Sequence, residues 1–255
     1  MRLGSLALLV VLSAGAWQSP AETPPDSRLW QDVLANYVTG DGSVRYAALK
    51  NNPGALKKFV AQIGAVSPDS HPALFPARED RLAYWINAYN ALVMDAVIDG
   101  YPERRKRLST LLGRGIFFKL MSVRAGGRAT TLDAIETARL REGFHDPRIH
   151  FAIVCASRGC PWLGRTAFTA KNVDTLLNDA ARRFLNQKRN VDVDPAHGVI
   201  TLSSIFDWFG GDFGGDKAQR LTFIAKYRDD GAQFVSRSWK LKYADWDWSL
   251  NDTSR

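Results

Sequence analysis

The sequence predicts an α+β fold, with helices around a small, mostly antiparallel sheet, on the strength of three stretches. In Arg78 to Asp99, Leu82, Trp85, Ile86, Tyr89, Leu92, Val93, Ala96 and Val97 recur at intervals of three and four, the pattern of a helix with one broad buried face. Short β-prone runs flank tight turns at Arg124-Ala125-Gly126-Gly127-Arg128 and Asp194-Pro195-Ala196-His197-Gly198, which predicts two hairpins. Between them, the apolar run Ile149 to Val154 is stopped by Ser157, Gly159 and Pro161, and reads as a buried strand ending in a polar loop.

The N-terminal residues predict the compartment. Arg2 precedes an apolar run from Leu6 to Ala16, of signal-peptide rather than membrane-spanning length, with small residues at Ala14 and Ala16 or Ser19 and Ala21 to offer cleavage. Residues 1–21 are therefore expected to direct export, placing the protein in the periplasm or outside the cell. No later stretch approaches the roughly 20 apolar residues of a membrane helix, so no transmembrane segment is expected in the mature chain. A proline-rich linker occupies 22–26, and 27–255 is expected to form a single domain.

Ser27 is placed to cap a helix through Trp30, Val33, Leu34 and Tyr37, Gly40-Asp41-Gly42 reads as a turn, and Val44-Arg45-Tyr46 as a short strand. A helix follows from Pro53 to about Ile63, then a proline-rich loop from Ser67 to Ala77 that carries His71 on the surface. Phe117 to Val123 reads as a strand entering the first hairpin. Thr130, with Asp133 three residues on, resembles a capping box for a helix through Leu132, Ile135 and Leu140. After Thr169, Val173, Leu176, Leu177, Ala180, Ala181 and Phe184 mark an amphipathic helix. The second hairpin carries His197 at its exposed tip. Ser203 caps a short helix from Ile205 to Phe209, Lys217 to Tyr227 is another, and Phe234 to Trp239 one more. Trp246 and Trp248 fall on one face of a packed, extended tail.

The formal charge of +8 reads as scattered over the surface, suiting anionic partners such as membrane headgroups. Without a basic cluster interleaved with stacking aromatics, no nucleic-acid partner is expected.

Chemistry concentrates in Asp146 to Pro161, which holds both cysteines and His150, one of only four histidines. A thiol nucleophile needs a lowered pKa, an oriented imidazole beside it and N–H groups facing the developing oxyanion. Cys155 and Cys160 are both candidates, and Cys160 ahead of Pro161 suits a helix N-cap. They can equally close a disulfide in an oxidising compartment, or remain inert thiols. With His150 and a carboxylate they match no common zinc spacing, so neither a metal nor another cofactor is expected. A flat strand from His150 to Cys155 would span roughly 16 Å and set the two side chains on opposite faces; direct pairing then demands a bulge or sharp bend. Asn87, Asn90 and Met94 form a second helical line with two carboxamides side by side. Those amides either bond a neighbouring loop backbone or orient a catalytic histidine or a substrate carbonyl. Glu136, next to Ile135, lies near a buried face within reach of Arg141 or a histidine.

Tyr84-Trp85-Ile86-Asn87-Ala88-Tyr89-Asn90-Ala91, Leu132-Asp133-Ala134-Ile135-Glu136, Asp146 to Pro161, Leu202-Ser203-Ser204-Ile205-Phe206 and Asp247-Trp248-Ser249-Leu250-Asn251 together resemble the domain of unknown function 547 family. The resemblance implies a papain-like cysteine-hydrolase arrangement with Glu, His and Cys in that order, falling on Glu136, His150 and Cys155. A histidine often follows that glutamate in the family, and Thr137 stands there in this chain. The second cysteine is replaceable in the family, which favours Cys155 over Cys160 as nucleophile. The expected function is an exported cysteine-dependent hydrolase or acyltransferase acting on an amide or thioester of a small-molecule or peptide substrate, with Asn87 and Asn90 orienting or binding. The alternative is a non-catalytic envelope binding domain stabilised by a Cys155–Cys160 disulfide.

Overall fold

The computed structural model describes residues 23–236 and 238–253; the signal peptide expected over residues 1–21 lies outside them. Asp26, rather than Ser27, caps helix α1 (Ser27–Tyr37), its carboxylate accepting from the Arg28 N–H at 3.0 Å. The strand expected at Val44–Tyr46 reduces to isolated bridges from Val44 to Val38 and Asp252, and Tyr46 instead opens α2 (Tyr46–Asn51). α3 (Gly54–Ala65) and α4 (Arg78–Asp99) follow. Every residue of α4 from Leu82 to Met94 is buried, not one face alone. The cause is that α2, α3 and segments after residue 130 pack around it on several sides.

After α5 (Arg104–Leu108) and α6 (Leu111–Gly115), the expected strand from Phe117 is a π-helical turn, Ile116–Leu120. There Phe117 is buried while Lys119, which would share its face in a strand, is exposed, so the burial does not follow strand alternation. The antiparallel hairpin β1 (Val123–Ala125) and β2 (Arg128–Thr130) is as expected. Gly126 and Gly127 both take positive φ, 56° and 79°, as a two-residue type I′ turn requires. Their N–H groups donate to the Ile63 and Gly64 carbonyls at the end of α3. Thr131, one residue beyond the expected cap, accepts from the Ala134 N–H and opens α7 (Leu132–Ala134). The helix continues through a π segment, Ile135–Arg141, into α8 (Glu142–Phe144).

The strand expected at Ile149–Val154 is corrected to a 3-10 helix, Pro147–Phe151. Asp146 caps it through the Arg148 N–H, and Pro147 occupies its first position. A short apolar run carries the same hydrophobicity in a strand or a buried helical turn, and here the local capping decides. α9 (Val173–Leu185) precedes a second sheet of strand order β3-β4-β5. In it β3 (Val191–Asp194) and β4 (Val199–Leu202) form the expected hairpin, and β5 (Lys240–Tyr243) adds parallel to β4. Between β4 and β5 lie α10 (Ile205–Trp208), a 3-10 turn Gly210–Phe213, α11 (Lys217–Tyr227) and α12 (Ala232–Ser236).

Buried apolar side chains gather in two clusters. One surrounds α4; the other joins the second half of α9 to the β3-β4-β5 sheet and to α10, α11 and α12. The 3-10 helix stitches them, with Ile149 in the first and Phe151 in the second. His150 is buried on the same turn.

A Cβ at Gly126 would lie 2.1 Å from Ser67 Oγ at a left-handed φ. Gly126→Ala is expected to cost about 2 kcal/mol or more, read as a lowered midpoint of chemical denaturation.

Candidate functional site

A groove of about 770 Å³ opens where the clusters meet, walled by the π segment, the segment 111–119, the 3-10 helix, the cysteine loop and Trp208, Trp246 and Trp248. His150, Glu136, Cys155 and Cys160 all line it. A second cavity of about 490 Å³ shares Cys160, Pro161 and Trp246 but none of His150, Glu136 and Cys155, so the titratable chemistry belongs to the groove.

The His150 ring stacks on Phe209, centroids 4.4 Å apart, with Phe213 at 5.3 Å. Its Nε2 meets Asp212 Oδ2 at 2.7 Å. Arg141 grips the same carboxylate with both arms, Nε at 2.7 Å and Nη2 at 3.2 Å, and lies over the Phe209 ring. The hydrogen bond from His150, opposed by desolvation and joined by Arg141, holds the Asp212 carboxyl far below its ordinary range. Sequence reading passed over Asp212; its one signal was a lone acid in the glycine-rich turn Gly210 to Gly215.

Glu136 takes a different partner. Tyr89 Oη on α4 donates to its Oε2 at 3.0 Å. Burial raises the Glu136 carboxyl above its ordinary value, opposed by the Tyr89 hydroxyl and by the charges of His150 and Arg141. The residue expected to orient His150 therefore stands beside the ring without a hydrogen bond to it in this structure. It sits in a π segment, a local widening often found at functional sites.

The α4 carboxamides clamp loops. Asn90 donates to the Ala152 carbonyl at 2.9 Å and accepts from the Val154 N–H at 2.9 Å, fixing the chain between His150 and Cys155. Asn87 does the same for Phe168, at 2.7 and 3.0 Å. Both satisfy loop backbone, and neither is among the groove-lining residues.

Cys155 and Cys160 are joined in a disulfide. Cys155 is half-buried on the groove wall, and its N–H points at Cys160 Sγ, 3.0 Å away. Ser157 Oγ lies 3.1 Å from Cys155 Sγ and 3.3 Å from Cys160 Sγ, and accepts from Trp246 Nε1 at 2.8 Å. No helix follows Pro161, so Cys160 has no N-cap role. Ala156 takes φ 61°, a left-handed conformation costing about 1–3 kcal/mol for a residue with a Cβ. The tail holds it there: Asn251 N donates to Ala156 O, and Arg158 N and Gly159 N donate to Ser249 O and Asp247 O. A Cβ on Gly159 would lie 2.7 Å from the Trp246 ring, so the loop approaches that indole as only glycine allows. Away from the groove, His197 pairs with Asp194 at an exposed turn, and His71 bonds Ser70.

Fold and site together define an α+β protein with an aromatic-walled groove, in which a buried histidine, paired with a half-buried Asp and Arg, stands near a short disulfide loop. Residues 74–185 match the family described as Protein of unknown function, DUF547, and over that segment the chain is similar to this family. The match takes in Glu136, His150 and both cysteines, whereas Asp212 and the resembling segments Leu202–Phe206 and Asp247–Asn251 lie beyond it. No curated protein and no solved structure matches the chain.

The two carboxylates carry opposite pH signatures. Asp212 holds its proton less tightly folded than unfolded, so its stabilisation is complete above the ordinary value of 3.8 and fades as pH falls towards the lowered folded value. Glu136 holds its proton more tightly when folded, so ionising it costs stability as pH rises past the ordinary 4.5. Asp212→Asn is expected to lower the melting temperature at pH 7, by less as pH falls below about 4, and Glu136→Gln to raise it at pH 7 with the gain vanishing in acid. Thermal melts of both variants from about pH 3 to about pH 8 check the two signs. Asn90→Ala, leaving a buried carbonyl and N–H unpaired, is expected to cost about 2–4 kcal/mol in chemical denaturation.

Proposed function

We propose that the groove is the active site of an exported, cysteine-dependent acyl-transfer enzyme, a hydrolase or acyltransferase that opens an amide or thioester and becomes competent when the Cys155–Cys160 disulfide is reduced. The observation that carries this reading is the hydrogen bond of 2.7 Å between His150 Nε2 and Asp212, on a buried imidazole lining the same groove as Cys155. A carboxylate on Nε2 fixes the ring and its tautomer, and leaves Nδ1 as the nitrogen that exchanges a proton with a thiol. The division of roles is papain-like, with Asp212 in the place that the family resemblance gives to Glu136. Glu136, its carboxyl pushed up by burial, suits the role of a proton donor or hydrogen-bonding group towards the substrate.

The chemistry balances as follows. A dithiol reductant supplies two electrons and two protons, and both cysteines become thiols. Cys155 passes its proton to His150 Nδ1 as its sulfur bonds the substrate carbonyl carbon. Collapse of the tetrahedral adduct expels the amine or thiol, which leaves with that proton, and a Cys155 thioester remains. Water, or an amine or alcohol acceptor, attacks the thioester with His150 as base and restores the thiol. The Ser157 hydroxyl lies close enough to both sulfurs to hydrogen-bond the adduct oxygen.

The disulfide itself favours a second reading, a non-catalytic envelope domain whose short loop is stapled for ligand binding. The two part on the reactivity of the reduced protein. Under the enzyme reading Cys155, mapped by mass spectrometry after mild reduction, is alkylated well below the ordinary thiol pKa of about 8.5. His150→Ala and Asp212→Asn return its profile towards that value, and Cys155→Ala abolishes the label. Two ordinary thiols, together with a loss of about 2 kcal/mol of stability on reduction, would overturn the enzyme and favour the stapled binding domain.

A further inference from the structure

The segment from Arg104 to Leu120 is unusual in both charge and exposure. It contains Arg104, Arg105, Lys106, Arg107, Arg114 and Lys119 with no acidic residue. Six of the 34 Lys and Arg residues of the chain fall in this one segment. The same segment carries Leu111, Leu112, Ile116 and Leu120, exposed by 79%, 76%, 46% and 73%. These are four of the seven large apolar side chains exposed among the described residues. Soluble surfaces seldom gather such side chains without a partner. The segment is firmly seated, with Phe117 fully buried beneath it and the Arg114 guanidinium lying 4.0 Å over the Trp248 ring on the opposite groove wall. Leu111, Phe118 and half-exposed Trp208 also line the groove, so the apolar patch runs into its mouth.

We propose that this segment is a docking surface for an anionic phospholipid bilayer, which it meets with the groove mouth turned towards the lipid. Leucine tips flanked by exposed Lys106, Arg107 and Lys119 match the chemistry of such an interface, where apolar side chains enter the acyl boundary and cations stay among the headgroups. Charge complementarity selects this occupant: Lys119 lies 4.0 Å from Asp133, but a purely apolar partner would leave Lys106 and Arg107 unmatched, and a second copy of this +8 chain would bring like charge against like. Among the described residues no helix is long and apolar enough to cross a membrane, and the attachment proposed is to one surface. It stands independently of the chemistry assigned to Cys155.

The test is co-sedimentation of the protein with vesicles of phosphatidylglycerol and phosphatidylcholine in equal parts, against vesicles of phosphatidylcholine alone, at low and high salt. The expected result is binding to the anionic vesicles, at least about tenfold weaker to the neutral ones and weakened by salt. The triple variant Leu111→Ser, Leu112→Ser, Leu120→Ser should bind about 100-fold more weakly, and Lys106→Glu with Arg107→Glu about tenfold more weakly. All five side chains are exposed, so melting temperatures should stay at the wild-type value. Absence of binding to the anionic vesicles at low salt, or undiminished binding by the leucine variant, would overturn the proposal. So would a dimer in sedimentation velocity that the leucine variant dissolves, since a second copy would then cover the patch.

Discussion

The hydrogen bond between His150 and Asp212 is the point on which the two halves of the structure depend. His150 is almost wholly withdrawn from water, between Phe209 and Phe213. A buried imidazole there needs a partner, and a carboxylate facing it needs its charge answered. Arg141 answers the charge from the π segment, so one carboxylate joins the α4 side of the molecule to the turn after α10. The groove exists because its walls come from both sides of that joint, and losing the carboxylate would leave the buried imidazole and the half-buried Arg141 without their shared partner.

Helix α4 supplies the rigidity behind this array. Its Tyr89 holds Glu136, Asn90 holds the link from His150 to Cys155, and Asn87 holds Phe168, so one buried helix sets three pieces of irregular backbone. The cysteine loop is steadied from the other direction. Ala156 keeps a costly left-handed turn because the tail supplies backbone partners on one side, while the Arg189 guanidinium donates to the carbonyls of Arg158 and Cys160.

Long-period elements were legible in the sequence. α4 and α11 fall within the limits their apolar spacing set, and both hairpins lie where glycine and turn residues placed them. Short apolar runs were not. Ile149 to Val154 and Phe117 to Val123 each have too few residues for period two and period 3.6 to be told apart, and capping by Asp146 or anchorage of Phe117 settled them as helical turns. In the site, His150, Glu136 and the cysteines were found because their residue types are rare and carry chemistry. Asp212 was missed because it is 62 residues from His150, and only the fold brings an aspartate in a glycine-rich turn against a distant imidazole. Parallel addition of β5 is hidden for the same reason, since pairing between distant segments leaves no local periodicity.

The clamp on the cysteine loop also has a meaning in time. Cys155 and Cys160 are five residues apart and can meet as soon as both have left the ribosome, whereas the residues that shape their loop, Trp246 to Asn251, are made some ninety positions later. The sulfur chemistry is thus local and early, and its surroundings are assembled last. Between these moments the nascent chain carries a cysteine pair without its groove, so a truncated chain can hold a correct disulfide and still lack the setting in which that disulfide matters.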